Sequence, residues 1–458
     1  MQRIFTTFCR LGRNQLQNSS FCLKKSWYIP RVAYVPIAQI SFGNKAMKDA
    51  KALYENGVGL FQQGKFQEAL GKFKETEKIL IDNLGEGHFE VAAIYNNISN
   101  AHKQLEQYDE AIKYLFKALD IYISNGQENS PFVGAVYNNI GSLYRLQEKY
   151  DKALDNFEKG HKILQKKFGD DHPAMINNFN NLGLIYHDLN KIDEAIKYYL
   201  KAIETYNKHV GKKEPSIAST YENLGQAYSD IGKYKEAIDA YNKSLEIRKA
   251  CFGENHPIVG KTYNSIGLTL MEFEKYDDAI ANLQKAYDIT VKNAGEGHPE
   301  TASSLTNIAL VYMSQGKHKE AEEYYEKALK INQAAFGENH PSIAIIYDNI
   351  SQIYEKENPQ EAINYLLKCA EIHHKCMEGD TPDVAASYEK IADLYEKQEK
   401  FDQAIEYYNK AADILKANLS EEEVDLSGIY NKIGGLYEKK GNKEEAEKFK
   451  KLANKSSN

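Results

Sequence analysis

Apolar residues recur along most of the chain with the spacing of an amphipathic helix. Residues 177–208 show this clearly, because one apolar stripe covers the first half and a second stripe covers the second half. The segment 190–193 interrupts the apolar spacing between the two stripes, so the pattern predicts two helices joined by a short turn. The first stripe is Phe179, Leu182, Ile185, Tyr186 and Leu189, and the second is Ala195, Ile196, Tyr199, Ala202, Ile203 and Tyr206.

The helix pair repeats along the chain. An alanine of the second helix marks the period at positions 69, 111, 153, 195, 237, 279, 321, 362, 404 and 446, and every interval is 42 residues except one of 41. One helix pair cannot bury its apolar sides alone, whereas stacked copies share a continuous core. The sequence therefore predicts an all-α array of ten helix pairs over residues 49–457.

A small residue recurs in the middle of each first helix. Glycine inside a helix costs about 1 kcal/mol relative to alanine, so its recurrence indicates that two helices approach closely there. Glycine occupies the position in Gly141, Gly183, Gly225, Gly267 and Gly434, and Ser99, Ala309, Ser351 and Ala392 replace it elsewhere.

The segments between pairs carry a recurrent histidine next to acidic residues, which suggests metal ligands or general bases. The histidines are His88, His172, His256, His298 and His340, while Ser130, Glu214 and Thr381 replace them in other repeats. Stacked copies would hold the histidines about 10 Å apart, too far to share a metal ion. A glycine before the histidine and a proline after it suit a helix end and a helix start. We interpret the segment as ending one helix and beginning the next. The glycines are Gly85, Gly169, Gly211, Gly253, Gly295, Gly337 and Gly379.

The repeat resembles the tetratricopeptide repeat. Tyr137, Ile140, Gly141, Tyr144, Ala153, Phe157 and Gly160 carry the resemblance in one unit. The common repeat has 34 residues, and the 42-residue version with a Gly-Glu-x-His-Pro joint is similar to the kinesin light chain type. The resemblance implies a right-handed superhelical solenoid of about ten repeats with a concave groove.

Polar residues recur at two positions of the first helix in successive repeats. We call the residues at one such position a ladder. Asparagine occupies the first ladder in Asn97, Asn139, Asn181, Asn223, Asn307 and Asn349. The resemblance implies that this position faces the groove, where asparagine could grip the backbone amides of a partner peptide. The alternative is that these asparagines bond neighbouring groups within the stack.

Lysines replace the asparagines or follow them seven residues later in the last repeats: Lys390, Lys397, Lys432 and Lys439. They resemble the carboxylate clamp of some tetratricopeptide domains, which implies a partner segment whose acidic part lies there. An ordinary solvated surface is the alternative.

Charge divides the chain into two parts. Residues 1–48 contain eight basic and no acidic residues, and the remainder contains 50 basic and 65 acidic residues. The Arg-bearing, Ser/Thr/Asn-rich start is typical of a mitochondrial transit peptide, cleaved between Arg31 and Lys48, or else of a disordered basic tail. The acidic remainder disfavours nucleic-acid binding, and no apolar run approaches the length of a membrane span.

No enzyme signature is found, since nucleophile-elbow, phosphate-loop, zincin and dinucleotide-binding motifs do not occur in the sequence. We expect no catalytic, cofactor or metal site. The sequence predicts a protein-interaction scaffold that helps to assemble or stabilise a mitochondrial complex, on the matrix side. The alternative is a cytoplasmic cargo adaptor of the kinesin light chain type. RNA binding would need a basic inner face in every repeat, whereas lysines collect only in the last ones.

Overall fold

The computed structural model describes residues 45–211, 213–377, 379–418 and 425–456. These residues form twenty α-helices arranged as ten consecutive helix pairs, which confirms the all-α repeat prediction. Repeat n consists of a first helix, α(2n−1), and a second helix, α(2n). Most first helices are 16 residues long and most second helices 18 or 19.

The described residues fall into two compact units, 45–254 and 255–456, which we call the N-terminal and C-terminal units. The N-terminal unit contains α1 (Lys45–Gln62), α2 (Phe66–Leu84), α3 (Phe89–Gln104), α4 (Tyr108–Ser124), α5 (Pro131–Leu146), α6 (Tyr150–Phe168), α7 (Met175–Asp188), α8 (Ile192–His209), α9 (Pro215–Asp230) and α10 (Tyr234–Phe252). The C-terminal unit contains α11 (Pro257–Glu272), α12 (Tyr276–Ala294), α13 (Pro299–Ser314), α14 (His318–Phe336), α15 (Pro341–Tyr354), α16 (Pro359–Cys376), α17 (Pro382–Lys397), α18 (Phe401–Asn418), α19 (Ser427–Lys439) and α20 (Lys443–Ser456).

Helix α1 begins at Lys45, inside the segment 1–48 that the sequence assigns to a leader. The rest of that predicted leader lies outside the described residues. Because Met47 and Ala50 are already buried in the core, residues 45–48 belong to the first repeat. None of the described helices is both long and apolar enough to cross a lipid bilayer.

The core lies between the two helices of each repeat. The alanines that mark the period are buried, and the mid-helix glycines face a large side chain of the second helix. A Cβ atom on Gly141 would lie 2.8 Å from the Phe157 ring, and one on Gly267 would lie 2.6 Å from Leu283 Cγ. Such distances are far below van der Waals contact, which confirms that these glycines are sterically required. Gly434 is the exception, because the nearest atom to its added Cβ lies 3.4 Å away.

His88, His256, His298 and His340 cap the helices that follow them, and His172 makes the same type of contact in the turn before α7. In all five cases Nδ1 accepts a hydrogen bond, 3.1–3.2 Å long, from the backbone N–H two residues later. The Ser130 hydroxyl also caps its helix, and it accepts from the Val133 N–H three residues later at 3.5 Å. Six of the seven preceding glycines have a positive φ; at the seventh, Gly379, the N–H donates to the His374 carbonyl. The joints therefore end one helix and begin the next, as predicted.

Candidate functional site

The asparagine ladder lies on the first helices, and half of it is bonded between repeats. Asn139 Nδ2 donates to Asn96 Oδ1, and Asn223 Nδ2 donates to Asn180 Oδ1, both at 3.5 Å. Asn307 Nδ2 donates to Asn264 Oδ1 at 2.7 Å. In each pair the acceptor is the residue just before the ladder position of the preceding repeat. We call this set of cross-repeat contacts the amide row.

The bonded ladder residues Asn139, Asn223 and Asn307 are 84 residues apart, so the amide row skips every second repeat. The skipped positions have a local cause. Asn138 Oδ1, which would accept from Asn181, instead accepts from Asn178 Nδ2 at 2.8 Å. The position facing Asn349 holds Thr306, and its hydroxyl donates to the carbonyl of its own helix.

The remaining asparagines have different surroundings. Asn97 is completely buried, and its Nδ2 donates to the Ala93 carbonyl of the same helix at 3.2 Å. Asn181 and Asn349 are half-buried. Neither makes a side-chain hydrogen bond with any residue that the structure describes. The ladder therefore contains both structural and uncommitted amides, which the sequence did not distinguish.

A second row of contacts lies seven residues further along the first helices. In the N-terminal unit, the Arg145 guanidinium donates two hydrogen bonds to the Asp188 carboxylate. His187 Nε2 lies 2.7 Å from Asp230 Oδ2. Each pair joins a basic residue of one repeat to an acidic residue 43 positions later. We call this set the charge row.

The charge row continues in the C-terminal unit with the opposite sign. Glu355 Oε2 accepts from Lys397 Nζ at 3.2 Å, and Glu396 Oε1 accepts from Lys439 Nζ at 2.7 Å. Here the acidic residue belongs to the earlier repeat and the lysine to the later one. These pairs are more exposed than those of the N-terminal unit, since the Lys397 side chain keeps 64% of its accessible surface and that of Arg145 only 32%.

The other two predicted clamp lysines are paired as well. Lys390 stands at a ladder position and contacts the Asp348 carboxylate, which occupies the acceptor position of the amide row. Lys432 Nζ lies 2.6 Å from Asp393 Oδ1, one helical turn beyond that acceptor position. Each of the four lysines therefore meets a carboxylate of the preceding repeat. The structure does not leave them as an unopposed cluster of positive charge for an acidic peptide.

These partners were not predicted from the sequence, because the ladders compare only residues that stand at the same position in successive repeats. Most partners are 43 residues apart, or 42 across the shortened repeat, and Lys432 and Asp393 are 39 residues apart. A search for opposite charges at a separation of 43 residues would have found Arg145 with Asp188 and Glu396 with Lys439.

The Ser387 hydroxyl donates a hydrogen bond to the buried Cys369 sulfur, 3.7 Å away. Burial raises the pKa of the Cys369 thiol to about 12, which keeps it protonated and a poor nucleophile. The described residues contain no group of three or more His, Cys, Asp or Glu side chains placed to hold a metal ion.

Several solved structures share the fold at low sequence identity. The apo form of the quorum sensor NprR from B. thuringiensis matches with a TM-score of 0.54 and 17% identity, over 81% of this chain and 99% of that one. A putative kinesin light chain from Podospora anserina matches with a TM-score of 0.38 and 21% identity, over 44% of this chain and 97% of that one. BtubC (BKLC) from P. vanneervenii matches with a TM-score of 0.40 and 18% identity, over 50% of this chain and 89% of that one.

No curated protein matches the chain closely enough to count as a relative. Models of the tetratricopeptide repeat match residues 48–124, 132–208, 216–292, 300–375, 354–417 and 383–453, and a further model matches 180–250. These matches cover nearly all of the twenty helices. The repeats form a protein-interaction scaffold, and the chain belongs to the tetratricopeptide repeat family.

Proposed function

We propose that this protein is a non-catalytic scaffold that holds an extended segment of a partner protein against the row face. In each unit, the row face is the face of the first helices that carries that unit's part of the amide row and the charge row. One observation carries the proposal: each unit has a half-buried ladder asparagine whose side chain has no hydrogen bond to any described residue, Asn181 in the N-terminal unit and Asn349 in the C-terminal unit.

An uncommitted carboxamide suits the backbone of a peptide better than a particular side chain. It offers two N–H donors and one carbonyl acceptor, which match the C=O and N–H groups of an extended strand. Because Asn181 and Asn349 are only half-buried, their donors and acceptor remain accessible to the hydrogen-bonding groups of a ligand. The repeat family supports the same reading, since its members bind proteins.

We further propose that the protein works in the mitochondrion, on the matrix side, in the assembly or stabilisation of a larger complex. The basic, acid-free residues 1–44 support this proposal by their composition. The second candidate is a cytoplasmic cargo adaptor of the kinesin light chain type, which the 42-residue period and the histidine joint favour.

Site-specific photo-crosslinking in cells tests the binding proposal. A photoreactive phenylalanine replaces Asn181 or Asn349 on the row face, and a matched control replaces Lys330, which is exposed on second helix α14. We expect both row-face positions to give the same crosslinked partner, and Lys330 to give none. Crosslinks of equal yield at all three positions would refute binding at the row face.

A fusion experiment tests the location. Residues 1–44 joined to a fluorescent protein should enter mitochondria, and the same fusion with Arg3, Arg10 and Arg13 changed to glutamine should remain in the cytosol. Cytosolic fluorescence of the unchanged fusion would favour the adaptor.

A further inference from the structure

The charge row follows one rule of spacing. A residue near the end of a first helix faces the residue 43 positions later, at the end of the next first helix. Arg145 with Asp188 and His187 with Asp230 obey this rule in the N-terminal unit. Glu355 with Lys397 and Glu396 with Lys439 obey it in the C-terminal unit, with a separation of 42 across the shortened repeat.

Lys103 occupies the same position in repeat 2, in the last turn of α3. The rule places residue 146 opposite Lys103, and residue 146 is a leucine that is 44% exposed. Within the described ranges, no carboxylate lies within the 4.0 Å ion-pair distance of the Lys103 ammonium group. The charge row therefore has a cation whose counter-ion is missing.

The surroundings of Lys103 make an unpaired charge on its ammonium group energetically unfavourable. Burial lowers the pKa of Lys103, and the positive charge of Arg145 acts in the same direction. Asp188 neutralises Arg145 through two hydrogen bonds, but Lys103 has no equivalent. A half-desolvated ammonium group gains more from a carboxylate than a fully hydrated one does.

We propose that Lys103 is the recognition site for a carboxylate of the partner segment, which takes the place that an acidic residue 146 would fill. The proposal rests on the proposed function, since it names the chemistry of the segment held at the row face. It also moves the acidic end of the partner from the C-terminal lysines, which are paired internally, to repeats 2 and 3. The carboxylate belongs either to an Asp or Glu side chain or to a free C-terminus.

Lys103 can also stabilise its own helix, because a cation in the last turn of a helix interacts favourably with the helix dipole. That role does not depend on residue 146. Substitutions of Leu146 therefore separate the two roles.

A peptide library tests the proposal with the full chain. Random 12-residue peptides are presented in two forms, one with a free C-terminal carboxylate and one with a C-terminal amide. Peptides enriched on the wild-type chain are then measured against three variants. Leu146→Asp supplies the missing counter-ion from within, Leu146→Asn is its uncharged control, and Lys103→Met removes the cation.

We expect the enriched peptides to share one carboxylate. Leu146→Asp and Lys103→Met should each weaken their binding at least tenfold, while Leu146→Asn should keep it within twofold. Leu146→Asp should also unfold at a higher temperature than Leu146→Asn, because it completes the charge row.

The two peptide forms identify the source of the carboxylate. Loss of binding on amidation indicates a C-terminal carboxylate, and loss on Glu→Gln or Asp→Asn exchange indicates a side chain. Peptides that bind without a carboxylate, or that bind Leu146→Asp as well as wild type, would refute the proposal and leave the scaffold function standing. A library with no enriched peptide would contradict both.

Discussion

The N-terminal and C-terminal units share one geometry of cross-repeat contacts but use opposite chemistry in it. At the charge row, the N-terminal unit sets arginine or histidine before aspartate, whereas the C-terminal unit sets glutamate before lysine. The amide row changes only within the C-terminal unit, which keeps the asparagine pair of Asn264 with Asn307 and then has the pair of Asp348 with Lys390. The position of each contact is thus fixed by helix stacking, and the residues that make it are exchangeable.

The units also differ in overall charge and in how deeply the rows are buried. Residues 45–254 carry 28 basic and 30 acidic residues, whereas residues 255–458 carry 24 basic and 35 acidic residues. The paired carboxylates keep 15–19% of their accessible surface in the N-terminal charge row and 30–41% in the C-terminal one. Since solvent screens exposed ion pairs, the N-terminal charge row should stabilise its unit more.

The largest expected effect concerns the packing that both units share. Gly141→Val in the N-terminal unit and Gly267→Val in the C-terminal unit should each lower the free energy of unfolding by about 3 kcal/mol, because the new side chain collides with Phe157 or Leu283. Urea denaturation followed by circular dichroism measures the loss. Gly434→Ala is the control, and it should be neutral or stabilising by up to about 1 kcal/mol. A marked difference between the first two variants would show that the units do not share this contact.

The amide row should separate stability from binding. Asn307→Ala removes the 2.7 Å hydrogen bond to Asn264 and should cost about 1 kcal/mol of unfolding free energy. Asn349→Ala breaks no internal hydrogen bond, so stability should stay the same or rise slightly through better helix propensity. Asn349→Ala should nevertheless weaken partner capture in a pull-down from a lysate of the source cells. Equal destabilisation by both changes would contradict the division into structural and uncommitted amides.

The exposed charge row of the C-terminal unit should contribute little. Lys439→Gln breaks the pair with Glu396, and we expect a loss of about 0.5 kcal/mol, which disappears in 1 M NaCl. Thermal melts at two salt concentrations measure both values. A loss above about 2 kcal/mol at low salt would contradict the weaker role of this row.

The smallest effect is a pH dependence at one joint. Burial lowers the pKa of His340, whose Nδ1 must be unprotonated to accept the Ser342 N–H. A folded-state pKa below the unfolded one means that this stabilisation is complete above the unfolded pKa of about 6.5 and is lost as the pH falls through the folded pKa. His340→Asn keeps a cap that does not titrate.

The difference in unfolding free energy between pH 7.5 and pH 5 should therefore be smaller in His340→Asn than in wild type. We expect about a few tenths of a kcal/mol, because solvent screens this partly exposed ring. Identical pH profiles for the two proteins would exclude His340 as a source of acid sensitivity.

The sequence was sufficient for everything that is local or periodic. The helix pairs, the steric need for Gly141 and Gly267, and the joint between repeats each follow from the spacing of residue types within one repeat. The capping role of the joint was predictable, but the Nδ1 acceptor was not, since proline and glycine alone specify that a helix begins.

The contacts of the rows could not be predicted in the same way, because they depend on how far one repeat is offset from the next. That offset brings Asn139 beside Asn96 rather than beside Asn97, and it brings Lys390 beside Asp348. The carboxylate clamp at Lys390, Lys397, Lys432 and Lys439 stays a prediction, and the offset explains why the sequence pattern did not reveal the carboxylates beside these lysines. The lysines recur at two positions of the repeat, whereas the acids that face them stand at other positions.

The central claim is that the charge row keeps its register when its sign is reversed, and a double-mutant cycle at Arg145 and Asp188 tests it directly. Arg145→Glu alone should lower the free energy of unfolding by about 1–3 kcal/mol, because two carboxylates then face each other in a half-buried site. Arg145→Glu combined with Asp188→Lys recreates the order of the C-terminal unit and should recover most of that loss. If the two single effects simply add in the double variant, residues 145 and 188 do not face each other, and the register on which the Lys103 site depends is wrong.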